Sequence, residues 1–175
     1  IDACLQCDVP EIPIFYPTSD LALQLVLQKS YDEAIDDITS SIVHAKDHGV
    51  TTDFVLMDAT RTPFENLKMF CKVAIEAGAD KIIIADTVGC MGPLSMKYFI
   101  RNIKEYIDGI SQTPISIHCH NDLGLAHVNT LAAIEEGANY PHVCVNGYGE
   151  RAGNAPLEEL VTSLQFLYGI KTINL

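Results

Sequence analysis

The alternation of short β-branched runs with amphipathic helical stretches constrains the fold of this chain more than any other feature. Successive runs are separated by about the length of one helix, which is the pattern of consecutive parallel βα units. Gly49, Gly78 and Gly137 each follow a helical stretch, where a left-handed C-terminal cap favours glycine. The pattern predicts strands over residues 12–16, 53–57, 81–85, 115–118 and 142–145, and helices over residues 31–48, 64–77, 94–107, 125–136 and 157–168.

Polar pairs follow four of these predicted strands. Parallel βα units form either an open doubly wound sheet, with its site at one switch point, or a barrel, which collects its site from several strand ends. The first βα turn carries no Gly-x-Gly-x-x-Gly motif. The sequence therefore predicts an α/β fold that is part of a (β/α)8 TIM barrel. The polar pairs are Asp58 and Arg61, Asp86 and Thr87, His118 and His120, and Asn146 and Glu150.

The size and charge of the chain exclude several classes of protein. Its 175 residues, 48% of them hydrophobic, suit a single domain. A net charge of −12 argues against nucleic acid, whose binding needs clustered basic residues. No apolar run approaches the roughly 20 residues that cross a bilayer, so we expect no membrane partner and a cytoplasmic location. Cys4 and Cys7 form a lone Cys-x-x-Cys, which we interpret as two helix cysteines rather than a zinc or redox motif.

Two histidines at the end of the fourth predicted strand form a candidate metal site. Side chains alternate along a strand, so His118 and His120 point the same way. Two neutral imidazoles on one face can share a divalent ion. Core histidines bonded to the backbone are the alternative, but burial does not require both on one face beside Asn121 and Asp122. The remaining histidines, predicted on helix faces or in loops, are His44, His48, His127 and His142.

Three long motifs extend this pattern. They are Asp-Thr-Val-Gly at residues 86–89, His-Cys-His-Asn-Asp-Leu-Gly at 118–124 and Asn-Gly-Tyr-Gly-Glu-Arg-Ala-Gly-Asn-Ala at 146–155, preceded by Asp-Ala-Thr-Arg-Thr at 58–62. Together they resemble the metal-dependent condensing enzymes typified by 2-isopropylmalate, homocitrate and citramalate synthase, which are relatives of HMG-CoA lyase. The resemblance runs from about residue 12 to the end of the chain.

The resemblance implies that residues 1–175 are one piece of a catalytic barrel. In that family the barrel has eight strands, and this chain corresponds to strands four to eight. The first three βα units are absent, and with them the first-strand aspartate that completes the metal ligands. The resemblance also implies amino-acid biosynthesis, leucine formation included, and a homodimer at full length.

The resemblance further implies a Claisen-type condensation of acetyl-CoA, or another acyl-CoA, with a 2-oxo acid. A divalent ion (Zn, Mn or Mg) would be held by His118 and His120, with Asn154 ligating or standing beside it. Thr87 would bind the oxo-acid carboxylate, and Glu150 would join it as a catalytic residue. The further substrate-binding residues implied are Asp58, Arg61, Asn146 and Gly147.

One departure from the family is chemically important. The synthases carry a glutamate, assigned to proton abstraction from acetyl-CoA, where this chain has Met57. Another base acting on a shifted substrate, a weak relative kept for binding, and a misplacement of Met57 by one residue all stay open. Lyase-type C–C cleavage and a degenerate barrel that binds metal or oxo acid without turnover are the alternative functions. Biotin-dependent carboxyltransferase barrels rank third, because they lack the Gly-Glu-Arg loop.

Overall fold

Five parallel strands form one sheet, and they lie in the order in which they occur in the sequence. The computed structural model describes residues 1–174. A doubly wound sheet reverses its strand order at a switch point, and no such reversal occurs among the described strands. The strands are β1 (Glu11–Pro17), β2 (Thr51–Met57), β3 (Lys81–Asp86), β4 (Ile115–Cys119) and β5 (Tyr140–Pro141).

Five long helices follow the strands and begin within one residue of the predicted positions. Ser30 opens the longest one with a capping box, in which its hydroxyl accepts from Glu33 N and its own N–H donates to the Glu33 carboxylate. The five predicted helices are confirmed to within one residue at each end. Within residues 1–174, none is both long enough and apolar enough to cross a membrane. The α-helices are α1 (Asp2–Leu5), α2 (Asp20–Ala22), α3 (Tyr31–Asp47), α4 (Phe64–Glu76), α5 (Pro93–Tyr106), α6 (Ala126–Glu135) and α7 (Leu157–Tyr168).

The first four predicted strands are confirmed, but the fifth is wrong. Residues 142–145 were expected in the sheet, whereas β5 ends at Pro141. After His142 donates its N–H to Ile117 O, the chain leaves β4, and Cys144 pairs instead with the returning segment around Pro156. Residues 142–145 therefore belong to the loop that follows β5 and do not extend the sheet.

The two faces of the sheet have different surroundings. On one face the alternate strand residues pack against the helices and form the core with Phe70 and Ile38. Side chains of the opposite parity line a cleft of about 760 Å³ on the other face. The core-facing strand residues include Ile12, Ile14, Phe54, Leu56, Ile82, Ile84, Ile115 and Ile117, and the cleft-facing ones include Pro13, Phe15, Val55, Met57, Ile83, Ala85 and His118.

The amino-terminal end of the cleft holds a buried carboxylate. Asp53 is 2% exposed, and its Oδ2 lies 2.9 Å from Lys81 Nζ, which also contacts Glu11 at 3.2 Å. Asp53 Oδ1 has no hydrogen-bond partner among the described residues. Burial, together with the nearby Glu11 carboxylate, raises the pKa of Asp53 to about 6. The protonated form of Asp53 is therefore favoured by folding.

The Asp53→Asn variant is expected to gain stability relative to the natural protein as the pH rises from about 4 to about 6. In the unfolded chain Asp53 loses its proton near pH 3.8, whereas the folded protein keeps it to about pH 6. Between these values the folded state binds more protons, so this residue's contribution to the free energy of unfolding falls as the pH rises. Urea unfolding of both proteins at pH 4, 5, 6 and 7 measures the difference, and a difference that stays constant would contradict the expectation.

Candidate functional site

Loops from the carboxyl ends of several strands meet above the cleft and bring in one or both members of three of the four predicted polar pairs. The cleft is lined at this end by Thr87 after β3, by His118 of β4 and His120 directly after it, and by the loop after β5. That loop contributes Glu150 and Asn154. Four of the predicted site residues lie within the described part of the chain but do not line the cleft. They are Asp58, Arg61, Asn146 and Gly147.

His118 and His120 face each other, as the strand period predicted. Their Nε2 atoms are 3.2 Å apart, and the rings meet edge to face with centroids 4.8 Å apart. Burial, then the neighbouring imidazoles of His120 and His142, lowers the pKa of His118 to about 4. Burial also lowers the pKa of His120. Both rings are therefore neutral at pH 7, which leaves a lone pair on each for a ligand.

The separation of these two nitrogens suits a shared ion. Zinc–imidazole bonds are about 2.0–2.1 Å long. If the nitrogen–metal–nitrogen angle lies between a right angle and the tetrahedral angle, two nitrogens bound to one ion are therefore roughly 2.9–3.4 Å apart. The observed 3.2 Å lies in this range, and it also suits an N–H···N hydrogen bond between two neutral rings. The donor chemistry of His118 and His120 therefore fits a divalent metal.

Asn154 stands beside both rings. Its Nδ2 is 3.3 Å from His118 Nε2 and 3.4 Å from His120 Nδ1. An amide ligates metals through oxygen, so in this orientation Asn154 is a hydrogen-bond donor to the imidazoles, and ligation needs the amide turned over. Within residues 1–174 no group of three or more His, Cys, Asp or Glu side chains converges on one point. The candidate metal ligands among the described residues are thus the two histidines, with Asn154 beside them.

The Thr87 hydroxyl oxygen accepts a hydrogen bond from the backbone, so its own proton can be donated to a ligand. Its Oγ1 accepts a hydrogen bond of 2.8 Å from Asp58 N, and it faces the cleft beside the histidines. The adjacent Asp86 is fully buried and orders the strand end, because its carboxylate accepts from Thr60 Oγ1 and from the N–H groups of Cys90 and Met91. Thr87 is therefore oriented by the backbone and can donate to a bound carboxylate.

Asp58 and Arg61 form a closed ion pair beside the cleft. Arg61 Nε and Nη2 donate to the two Asp58 oxygens at 2.7 and 2.8 Å, and Ser19 Oγ donates to Oδ2 at 2.5 Å. The Asp58 side chain is 6% exposed, whereas that of Arg61 is 44% exposed. Both oxygens of the Asp58 carboxylate thus bind partners within the protein. Of the two predicted substrate-binding residues, only Arg61 is exposed enough to contact a substrate.

The loop after β5 folds tightly against the histidine segment. His120 forms an antiparallel bridge with Asn154, and Asn121 N donates to Gly153 O at 2.9 Å. A Cβ added at Gly153, where φ is +92°, would stand 2.1 Å from Gly147 O. Glycine is therefore required at Gly153 for the backbone to return and present Asn154 to the imidazoles.

Other predicted residues of this loop have structural partners. Asn146 adopts a left-handed conformation, and its N–H donates to the Glu158 carboxylate. The Glu150 side chain is 82% exposed and stands 3.9 Å from Arg151 Nη1. Arg151 binds Asp122 through two hydrogen bonds of 2.8 and 2.7 Å. Arg151 therefore ties this loop to the loop that follows β4.

Sequence reasoning missed His142 and Cys144 as neighbours of the site. Both line the cleft, and the His142 ring centroid is 5.6 Å from that of His118. His142 lies in the loop that follows β5, and the pairing of Tyr140 with Ser116 brings that loop next to β4. No local signal in the sequence reports this long-range register.

The fold and the site together define a class: a singly wound parallel α/β protein with a pair of neutral imidazoles and a hydroxyl donor at the carboxyl ends of its strands. The HMGL-like family model matches residues 1–175. The chain therefore belongs to the HMGL-like family.

Curated relatives and solved structures agree with this assignment. The chain is 47% identical over 172 residues to the 2-isopropylmalate synthase of Methanocaldococcus jannaschii, covering 98% of this chain and 32% of that protein. It is 45% identical over 170 residues to homocitrate synthase AksA of Methanopyrus kandleri, covering 97% and 42% respectively. The chain thus spans about a third to two fifths of these relatives.

A solved structure supports the fold. The crystal structure of the Bacillus subtilis HMG-CoA lyase superposes with a TM-score of 0.84, over 98% of this chain and 60% of that one, at 21% identity. At this level of identity the likeness concerns the fold alone, and it places the sheet among the HMGL-like TIM-barrel proteins.

Proposed function

We propose that this chain is part of the catalytic barrel of a metal-dependent acyltransferase that condenses an acyl-CoA, acetyl-CoA foremost, with a 2-oxo acid. The observation that carries the proposal is the 3.2 Å approach of His118 and His120 Nε2 beside the free hydroxyl proton of Thr87. An ion and a carboxylate-binding hydroxyl side by side are what a 2-oxo acid needs. The similarity to 2-isopropylmalate and homocitrate synthases supports this choice of substrates.

In the proposed reaction a proton leaves the methyl carbon of acetyl-CoA, and the resulting carbon nucleophile bonds to the keto carbon of the oxo acid. The keto oxygen gains a proton, and water then hydrolyses the thioester to release free CoA thiol and a carboxylate. A divalent ion, Zn, Mn or Mg, bound by the histidines would supply electrophilic polarisation of the keto group. Thr87 would orient the oxo-acid carboxylate.

The charged groups at the rim have narrower proposed roles. Glu150 lines the cleft and is exposed, so we assign it to proton transfer near the acyl-CoA thioester. Arg61 would attract the anionic oxo acid to the mouth while Asp58 fixes its position. The backbone at Asn146 and Gly147, which packs tightly against the segment around Asn154, would border the bound substrate.

Three further proposals concern the whole protein. The open cleft face of the sheet fits strands four to eight of a (β/α)8 barrel, whose remaining units would cover that face and add a carboxylate ligand. The single catalytic piece 1–175 would then belong to a longer, cytoplasmic, homodimeric enzyme. A degenerate barrel that binds metal or oxo acid without turnover is the second candidate, favoured by Met57 on the cleft wall.

The decisive assay uses the protein at its full natural length with acetyl-CoA and a panel of 2-oxo acids. We expect free thiol to appear only when both substrates and a divalent ion are present, and to stop on addition of a chelator. If no oxo acid on the panel elicits thiol release while Co²⁺ still binds, the protein is a degenerate barrel that binds the ion without turnover. Retention of thiol release after complete metal removal would overturn the proposed use of the histidines.

A further inference from the structure

One arginine side chain connects the three loops that carry the candidate site. Arg151 Nε and Nη2 bind the Asp122 carboxylate as a fork, and Nη2 also donates to Thr87 O at 2.6 Å. Thr87 belongs to the loop after β3, Asp122 to the loop after β4, and Arg151 to the loop after β5. No hydrogen bond of a neighbouring side chain duplicates this three-way connection among the described residues.

Each partner of Arg151 is adjacent to a group of the proposed chemistry. Asp122 is two residues beyond His120, and Arg151 itself is three residues before Asn154. The carbonyl that accepts from Arg151 belongs to Thr87, whose hydroxyl faces the cleft. The Arg151 guanidinium therefore links the backbone of Thr87 to the loop that carries His120, and Arg151 itself belongs to the loop that carries Asn154.

The local packing shows that the connection is tight. A Cβ added at Gly89, in the Thr87 loop, would stand 2.9 Å from His120 O and 3.0 Å from Asp122 Oδ2. Arg151 itself adopts a left-handed backbone conformation, with φ of +56°, which non-glycine residues rarely adopt. The two loops thus meet without room for a methyl group, and the arginine closes the contact from the outside.

We propose that Arg151 is a positioning residue that fixes the Thr87 loop relative to His120 and Asn154, so that ion and oxo-acid carboxylate are bound at one set distance. The inference rests on the proposed function, because it assigns Arg151 a task in binding the same two ligands. A guanidinium suits this task, since its planar fork fixes direction as well as charge. A surface ion pair that served stability alone would contribute little and would not affect ligand binding.

The chain offers a matched control for this distinction. Arg101 of α5 binds Glu136 with the same fork, at 3.0 and 2.7 Å, and it is likewise exposed. This pair joins α5 to the end of α6 and lies outside the cleft lining. The Arg151→Gln and Arg101→Gln variants therefore remove equivalent ion pairs, one at the site and one away from it.

The test measures Co²⁺ binding to the full-length protein by visible absorption, and then pyruvate binding to the Co²⁺-loaded protein by calorimetry. We expect Arg151→Gln to weaken both about tenfold, at the lower end of the effect of residues that orient metal ligands. Arg101→Gln should leave both unchanged, with a similar small shift in thermal midpoint in the two variants. Asp122→Asn should reproduce the loss, and combining it with Arg151→Gln should add little, because both remove one interaction.

The Arg151→Lys variant separates position from charge. Lysine keeps the positive charge but has no fork, so its affinities should stay near those of Arg151→Gln. Recovery of full affinity by lysine, or equal affinities of Arg151→Gln and Arg101→Gln, would overturn the inference and leave the proposed function standing. Absence of Co²⁺ binding by the natural protein would overturn both.

Discussion

The His120→Ala variant is expected to lose divalent-ion binding by more than about 100-fold, and with it any metal-dependent thiol release. Residues that only orient a metal ligand already contribute roughly 10- to 100-fold to affinity, so removal of a ligand must cost more. His118→Ala should behave in the same way, because the two Nε2 atoms stand 3.2 Å apart and share one point of approach. Titration with Co²⁺, followed by absorption, measures the affinity in each variant.

The control for this experiment is another histidine of the same chain. His44 lies on α3, where its Nε2 contacts Asp2, and the ring is exposed outside the cleft. His44→Ala should retain full ion affinity and the same far-ultraviolet circular dichroism as the natural protein. Equal Co²⁺ affinities of His44→Ala and His120→Ala, with all proteins folded, would show that the ion binds elsewhere.

The part of the fold that the sequence predicted is the part encoded locally. Helix limits follow from residues such as Ser30 and Pro93, which fix the first turn whatever the rest of the chain does. The first four strands follow from β-branched runs that helices cover on one face. The fifth strand was wrong because its length depends on pairing with β4, and the segment around Cys144 finds Pro156 as a partner instead.

The candidate site divides in the same way. His118 and His120 share a face because of the strand period, so two residues of sequence sufficed to predict their approach. His142 reaches the same place through the register of β5, which no neighbouring residue determines. Likewise the hydrogen bond from Arg151 to Thr87 O spans 64 residues and depends on the loops meeting in three dimensions. Long-range geometry, rather than residue chemistry, was the missing information.

The second large effect is expected from Met57→Glu. Met57 ends β2 and lines the cleft, and its carbonyl is held by Thr18 N and Thr18 Oγ1 at 3.0 Å, so the backbone there is fixed. The side chain is only partly buried, and glutamate is of similar length, so the position can take a carboxylate without a large desolvation cost. A general base typically accelerates its step by roughly 10²–10⁴-fold. We expect a gain of this order in acetyl-CoA turnover if the natural protein lacks a base.

The Met57→Gln variant is the matched control, because it has the shape and polarity of glutamate but accepts no proton at neutral pH. It should leave the rate of thiol release unchanged, and only Met57→Glu should show a rate that rises with pH as its carboxyl group ionises. A gain in both variants would attribute the effect to polarity of the cleft wall rather than to proton abstraction. Steady-state kinetics with saturating oxo acid measure kcat for each protein across pH.

The outcome at Met57 also decides the role of Glu150. If the natural protein already turns over and Met57→Glu adds nothing, another group removes the proton, and Glu150 is the carboxylate that the cleft exposes at this end. Glu150→Gln should then reduce kcat by roughly 10²–10⁴-fold without weakening Co²⁺ binding, since the glutamate is not among the groups beside the histidines' Nε2 atoms. If instead Met57→Glu restores a rate that the natural protein lacks, Glu150→Gln should leave the natural protein's ion affinity and absent turnover unchanged. The apolar side chain at Met57 would then mark a barrel that retains its ion and oxo-acid site without the base that condensation requires.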